Sequence, residues 1–448
     1  MSASTSKISA PAETAQTRIG VFSTPAIVLF LVCVMYALTY IDRINVSTAS
    51  GVFQKQLNLS NTQVGNVFSA FAYFYLAFQV IGGWVSDRWG ARKVLTASAI
   101  IWGGSTLLTG IAGGFWTMMM ARVLLGFGEG AAFPTATRAM SDWMPAGKRA
   151  FAQGITHAFA RIGTAMTPPL VVWLIARGNW RFSFYVLGAV SLSWAVAWAL
   201  YFRDNPSEHR GVTAADLQRL PHYVERKDRM STKVPWGPLA RRMAPVTIVY
   251  FCYGWTLWLY LAWIPSFFLH SYKLDLKNSA LFSSGVFFAG VLGNLFGGIA
   301  SDRVLAATGD RNRARRDLVV AGFLFSVASM TPVLFIHNLT GAALCLSGAF
   351  FFSEFTIGPM WAIPMDVAPR FSGSASGLMN IGSASAAIVS PIIAGYVIDK
   401  THNWELPFIG SIVLLLCGAV LAFWMKPEEG LAGAEAVTKP TAVTEPAV

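Results

Sequence analysis

Seven ionisable residues stand inside apolar stretches of the chain: Asp42, Arg43, Arg122, Glu129, His157, Arg161 and Glu354. A charge at bilayer depth is costly and is usually kept for work. Asp42 and Arg43 are adjacent, and neighbours on a helix point about 100 degrees apart, so they cannot address one target together. Tyr36, Tyr40, Arg43 and Ser47 share one stripe, a polar face suited to a water-filled cavity. Arg43 is there a fixed cation: a guanidinium offers a planar fork to a carboxylate and keeps its proton. An ion pair between helices is the alternative. Arg122 and Glu129, seven apart, stack two turns distant on one face. A buried carboxylate near a movable arginine can capture and release a proton, so Asp42 and Glu129 are candidate proton carriers, with Arg122 as modulator or as half of a locking salt bridge. Gln153, His157 and Arg161 follow at i+4 spacing; Arg161 is a second candidate cation for an anion, or a partner for Glu354, and His157 is a cavity residue or a packing one.

The elements that must position them are membrane helices. The 448 residues are 54% hydrophobic and 12% charged, and the mean hydropathy is +0.51, too apolar for a soluble domain of this size. Apolar runs of spanning length fall near 24–48, 62–84, 94–112, 116–138, 150–176, 181–202, 244–269, 279–300, 318–336, 338–364, 373–398 and 405–425. The expected organisation is a tail over 1–20, a six-helix bundle over 21–202, a linker over 203–243, a second bundle over 244–425 and a tail over 426–448. No cleavable leader precedes the first run. In the linker, Thr213 and Asp216 predict a capped surface helix.

With both termini cytoplasmic, Lys and Arg divide 25 inside to 6 outside, among them Lys7, Arg18, Arg138, Arg149 and Lys439 on the inner side. The net charge of +12 therefore reads as topology and excludes nucleic-acid binding as its purpose. Cys33, Cys252, Cys345 and Cys417 are isolated packing residues, and no His/Cys cluster or nucleophile motif suggests a metal, a cofactor or an enzyme.

The halves echo each other. "GGWVSDRWGARK" (82–93) and "GGIASDRVLAATGDRNR" (297–313) place Asp87 and Asp302 215 positions apart. Such a repeat suggests two bundles with a ligand site between them and alternating access by rocking.

The repeated Gly-Asp-Arg loop and the six-plus-six layout resemble the major facilitator superfamily. "YIDRINVS", "FSAFAYFYLAFQVIGGW", "RVLLGFGEGAAFPTATR" and "SGLMNIGSASAAIVSPIIAGYVID" are similar to its anion:cation symporters of organic and sugar acids. The resemblance implies an all-helical fold of twelve transmembrane helices around a central cavity. It gives a conformational latch to Asp87, Arg88 and Asp302, proton coupling to Asp42, Glu129 and Arg122, and substrate contact to Asn380. Tyr75 and Gln79 are further substrate candidates, and the position of Arg161 before Pro168 resembles that of a substrate-contacting histidine in organophosphate antiporters. Tyr253, Trp255, Trp258, Tyr260, Asn294, Ser376 and Ser383 are the expected cavity face of the second half. The implied protein is a monomeric porter of the bacterial inner membrane that takes up a small organic anion with protons. A dianionic carboxylate or sulfonated carboxylate fits two cations best, a sugar acid next. A proton-independent organic-anion or organophosphate exchanger is the alternative.

Overall fold

A computed structural model describes residues 23–59, 61–221, 223, 233–274, 276–336 and 338–431. Lys7, Arg18 and Lys439 of the charge count lie outside the described residues. The first half comprises α1 (Thr24–Gln56), α2 (Asn61–Trp89), α3 (Ala91–Gly110), α4 (Phe115–Gly130), α5 (Ala132–Trp143), α6 (Arg149–Arg177) and α7 (Trp180–Tyr201). In the linker, α8 (Ala214–Arg219) is capped by Thr213 and Asp216, whose side chains satisfy each other's backbone N–H groups. The second half comprises α9 (Trp236–Ser271), α10 (Leu276–Thr308), α11 (Leu318–Met330), α12 (Leu339–Phe355), α13 (Ile357–Val367), α14 (Ser372–Thr401) and α15 (Leu406–Leu421). No strand occurs among the described residues. Lipid cannot satisfy exposed peptide groups, so apolar segments of this length close their hydrogen bonds within helices.

Among the described residues, ten helices are long and apolar enough to cross a membrane. The other two places are filled by α3 and by the pair α4 and α5, which pack with α2 and α7 inside the first half. The fourth and tenth expected spans are thus broken, at Ala131 and at Thr356. Each break has a proline as the third residue of the helix that follows, Pro134 in α5 and Pro359 in α13. Proline has no N–H to donate, and its ring crowds the carbonyl four residues back, so the preceding turn cannot continue regularly.

Within the first half α1 packs on α6 and α3 on α7; within the second, α9 packs on α14 and α10 on α12. The halves meet through α2 against α14 and α10 against α6. Glycine permits that approach: a Cβ on Gly83 of α2 would collide with the backbone of Gly373, and one on Gly298 of α10 with the backbone of Ala150 and Phe151. Much of the outer surface is apolar, with Phe30, Trp116, Leu200, Phe325 and Val420 exposed, as lipid contact requires.

Candidate functional site

The face of the molecule that carries the linker is closed by bonds between the halves, the charged ones among the described residues made by Asp87, Asp302, Arg138 and Arg149, with Ser372 donating to Ser141 (3.0 Å) beside them. Asp87, at the end of α2, accepts from the backbone N–H groups of Gly373 (3.0 Å) and Ser374 (2.7 Å) and from the Ser374 hydroxyl (2.6 Å), at the N-terminus of α14. Its repeat copy Asp302, near the end of α10, accepts from the N–H groups of Ala150 (3.4 Å) and Phe151 (2.8 Å) at the N-terminus of α6. Each carboxylate thereby satisfies orphan donors at the positive end of a helix in the other half. Arg138 donates to the carbonyls of Pro369 (2.7 Å) and Arg370 (3.3 Å), and Arg149 to the Met365 carbonyl (2.9 Å) and Asp366 (3.0 Å). Arg315 ties Asp302 (3.2 Å) and Asp366 (3.0 Å) together within the second half. Arg88 is not part of this closure: its guanidinium lies over the Trp84 ring of its own helix, 4.9 Å from the centroid.

Away from the linker face lies a cavity of about 580 Å³ between the halves. Its walls include Tyr40, Arg43 and Ser47 of α1, Tyr75 of α2, Arg122 of α4 and Trp258 of α9. A small chamber adjoins it, sharing Tyr40, Arg43, Tyr75 and Trp258 and adding Phe133, His157, Arg161, Tyr250, Trp361 and Asn380. Three members of the expected α1 stripe therefore face the cavity, whereas Tyr36 is buried against Phe133 and His157.

Arg43 sits in an aromatic box, its guanidinium carbon 4.6 to 5.1 Å from the ring centroids of Tyr40, Phe71, Tyr75 and Phe133. Such faces favour a cation and leave its N–H groups for other partners. Its Nε donates to Glu129 at 2.5 Å, while Nη1 and Nη2 are buried without a hydrogen-bond partner among the described residues. Glu129 thus pairs with Arg43 on another helix and not with Arg122 on its own. Arg122 lines the cavity, over the Phe71 ring, and forms no ion pair among the described residues. Asp42 turns the other way, accepting from the Ser191 hydroxyl of α7 (2.9 Å).

Arg161 is 1% exposed and pairs across the halves with Glu354 (3.2 Å); its Nε and Nη1 have no hydrogen-bond partner among the described residues. Glu354 also accepts from the Tyr253 hydroxyl (2.7 Å) and the Asn294 amide (2.6 Å). The His157 Nδ1 lies 2.9 Å from the Gln153 carbonyl oxygen, and its ring packs on Tyr36 and Trp361. Asn380 donates to Gln79 (2.8 Å) and Tyr75 (3.4 Å), joining α14 to α2; Gln79 is buried behind this contact and is absent from both cavity walls. Of the second-half aromatics, Trp258 reaches the cavity and Tyr260 stacks on Phe350 away from it.

Sequence reasoning passed over Tyr250, Phe133 and Trp361, whose indole donates to Tyr250 (2.7 Å), and it treated Arg138 and Arg149 only as orientation charges. Asp142-x-x-Pro145 and Asp366-x-x-Pro369 recur at the ends of the broken spans, a repeat that points to Asp366.

Two packed helical halves, a carboxylate from each seated on a helix N-terminus of the other, and a cavity between them make the fold of a secondary transporter. The family model of the major facilitator superfamily matches residues 32–390 and 287–445, and the chain belongs to that superfamily, as a membrane transporter and not an enzyme. It is 44% identical over 405 residues to the probable sulfoacetate transporter SauU of Cupriavidus necator, covering 90% of this chain and 94% of that one. It is 27% identical to the hexuronate transporter of Bacillus subtilis, over 86% of this chain and 91% of that one. Among solved structures it resembles the outward-conformation transporter FucP, with a TM-score of 0.68 and 11% identity over 90% of this chain and 99% of that one.

Proposed function

We propose that the protein takes up a small organic anion with two acidic ends, together with protons, by alternating access. The observation that carries this reading is the pair of arginines around Tyr40. Both guanidinium carbons lie over that ring, 4.8 and 5.3 Å from its centroid, so they stand no farther apart than the sum, about 10 Å. A carboxylate or sulfonate on a guanidinium puts its central atom about 4 Å from the guanidinium carbon, so a cargo whose acid groups are joined by one carbon bridges roughly 10 to 11 Å. Sulfoacetate, named for the relative at 44% identity, has that form; sugar acids, with one acidic end and a hydroxylated tail, come second.

The cavity lies opposite the closed linker face, which corresponds to a state that loads from outside if the linker and both termini are cytoplasmic. The excess of Lys and Arg on that side supports this orientation in a bacterial inner membrane. Asp87 and Asp302 act as latches that hold the linker face shut, and Arg88 assists through its charge alone. Glu129 and Asp42 carry the protons. Anion binding to the free N–H groups of Arg43 competes with Glu129, and Arg122, which faces the same cavity, steadies the exchange. His157 and Tyr75 shape the small chamber, while Gln79 and Asn380 fasten it between α2 and α14. All these groups belong to one chain, in keeping with a monomer.

An inside-negative potential opposes an entering anion by about 2.3 kcal/mol per charge per 100 mV, and accompanying protons offset this. In proteoliposomes, an inward proton gradient should drive uphill sulfoacetate uptake that an uncoupler collapses. Full accumulation without the gradient would sink proton coupling and favour an exchanger.

A further inference from the structure

Glu354 repeats the setting of Glu129. The two stand 225 residues apart, and each is followed five residues later by the proline of its broken span, Pro134 or Pro359. Each ends the last regular turn before its break, at Ala131 or Thr356. Each meets an arginine from another helix, and each arginine keeps two buried nitrogens without a hydrogen-bond partner among the described residues: Nη1 and Nη2 of Arg43, Nε and Nη1 of Arg161. Both arginines border the same small chamber.

The seat of Glu354 is built to survive loss of its cation. Tyr253 and Asn294 give one hydrogen bond to each of its oxygens, so both stay bonded when Arg161 leaves. Gly290 and Gly293 of α10 let α12 approach here; a Cβ on them would collide first with the Phe350 ring and the Phe351 carbonyl, and would also press the Glu354 side chain, at 3.1 and 3.2 Å. Arg161 holds it through one nitrogen at 3.2 Å. The chamber, about 20 Å³, admits about one water, so nothing larger reaches Arg161 unless these contacts part. Facing Glu354 are Tyr250 and Tyr253 of α9, Asn294 of α10 and Arg161 of α6, with His157 on the same chamber; α11 offers no titratable side chain at that depth.

We infer that Glu354 is a resident counter-anion, which the second acidic group of the cargo displaces from Arg161 while the freed carboxylate takes up a proton. The charge balances: one acidic group arrives, one proton neutralises the carboxylate, and an O–H bond forms on Glu354. Because Arg161 belongs to the first half and Glu354 to the second, the exchange also severs an ion pair between them. This rests on the dianion reading above and adds Glu354 to its coupling groups.

Isothermal titration calorimetry in two buffers of different ionisation heat counts protons taken up per anion bound, with sulfoacetate as the two-ended probe and ethanesulfonate as the one-ended probe. Wild-type protein should take up one more proton with sulfoacetate than with ethanesulfonate. Glu354→Gln should lose that extra proton and bind sulfoacetate about ten-fold more tightly at alkaline pH, as removal of one competing charge implies. An unchanged proton count in a folded Glu354→Gln variant, or weaker sulfoacetate binding by it, overturns the inference. If that variant does not fold, the wild-type comparison decides, and equal counts for the two probes overturn it. Failure of wild-type protein to bind sulfoacetate at all would instead bring down the dianion reading and this inference with it.

Discussion

Replacing Asp87 with Asn tests whether the acid at the end of α2 holds the linker face closed. Its carboxylate receives three hydrogen bonds from Gly373 and Ser374, all crossing between the halves. Bonds to a charged acceptor contribute about 1.5–3 kcal/mol each, and an anion at a helix N-terminus roughly 0.3–1 kcal/mol more. Asn keeps one accepting oxygen, which can hold the two Ser374 bonds, and turns its NH2 toward the Gly373 N–H, so one bond and the helix-end charge go, a net loss of roughly 2–4 kcal/mol. At 1.4 kcal/mol per tenfold, the ratio of closed to open linker face should fall roughly 25- to 700-fold. Electron–electron resonance between spin labels at Lys93 and Arg313, exposed positions on that face of the first and second halves, reads the populations directly. The variant should gain a longer-distance population that the wild type lacks. An unchanged distance distribution would refute the reasoning, since the bonds would then contribute nothing to the balance of states.

Asp302→Asn should shift the same distances in the same direction, leaving Arg315 paired with Asp366 so that the fold persists, as the melting temperature would report. Gly298→Ala should also open the linker face, because its Cβ would meet the backbone of Ala150 and Phe151; labels that stay at the closed distance would contradict this. Arg43→Lys keeps the charge but loses the fork, and sulfoacetate affinity should drop roughly ten- to hundred-fold in calorimetry. Glu129→Gln should abolish gradient-driven uptake in proteoliposomes while anion exchange continues; intact uphill uptake would remove Glu129 from coupling.

The spans were legible because lipid imposes a length and a composition that a run of residues either meets or does not. The acids that bond across the linker face were legible too, since Asp87 and Asp302 sit in a copied loop. Their partners were not: both bind backbone N–H groups, which every residue but proline offers, so no side-chain pattern marks Gly373 or Phe151. Helical periodicity gave the direction of Arg43 and Glu129 on their own helices but not which helices become neighbours, and so stacked Glu129 with Arg122 when its bond is to Arg43. The breaks at Ala131 and Thr356 did carry a signal, a glutamate followed at five residues by proline in each half. It went unread because one proline within an apolar run does not by itself decide between a kink and a break.

Arg43 stands on α1 and Arg161 on α6, helices packed together in the first half. If one half swings against the other, as proposed above, the separation of these two side chains' anchors therefore does not change. A molecule is sized by the same fixed caliper at either mouth, so the preference for cargo length should be equal in influx and efflux. What the swing alters is company, because only the second half brings or withdraws Glu354.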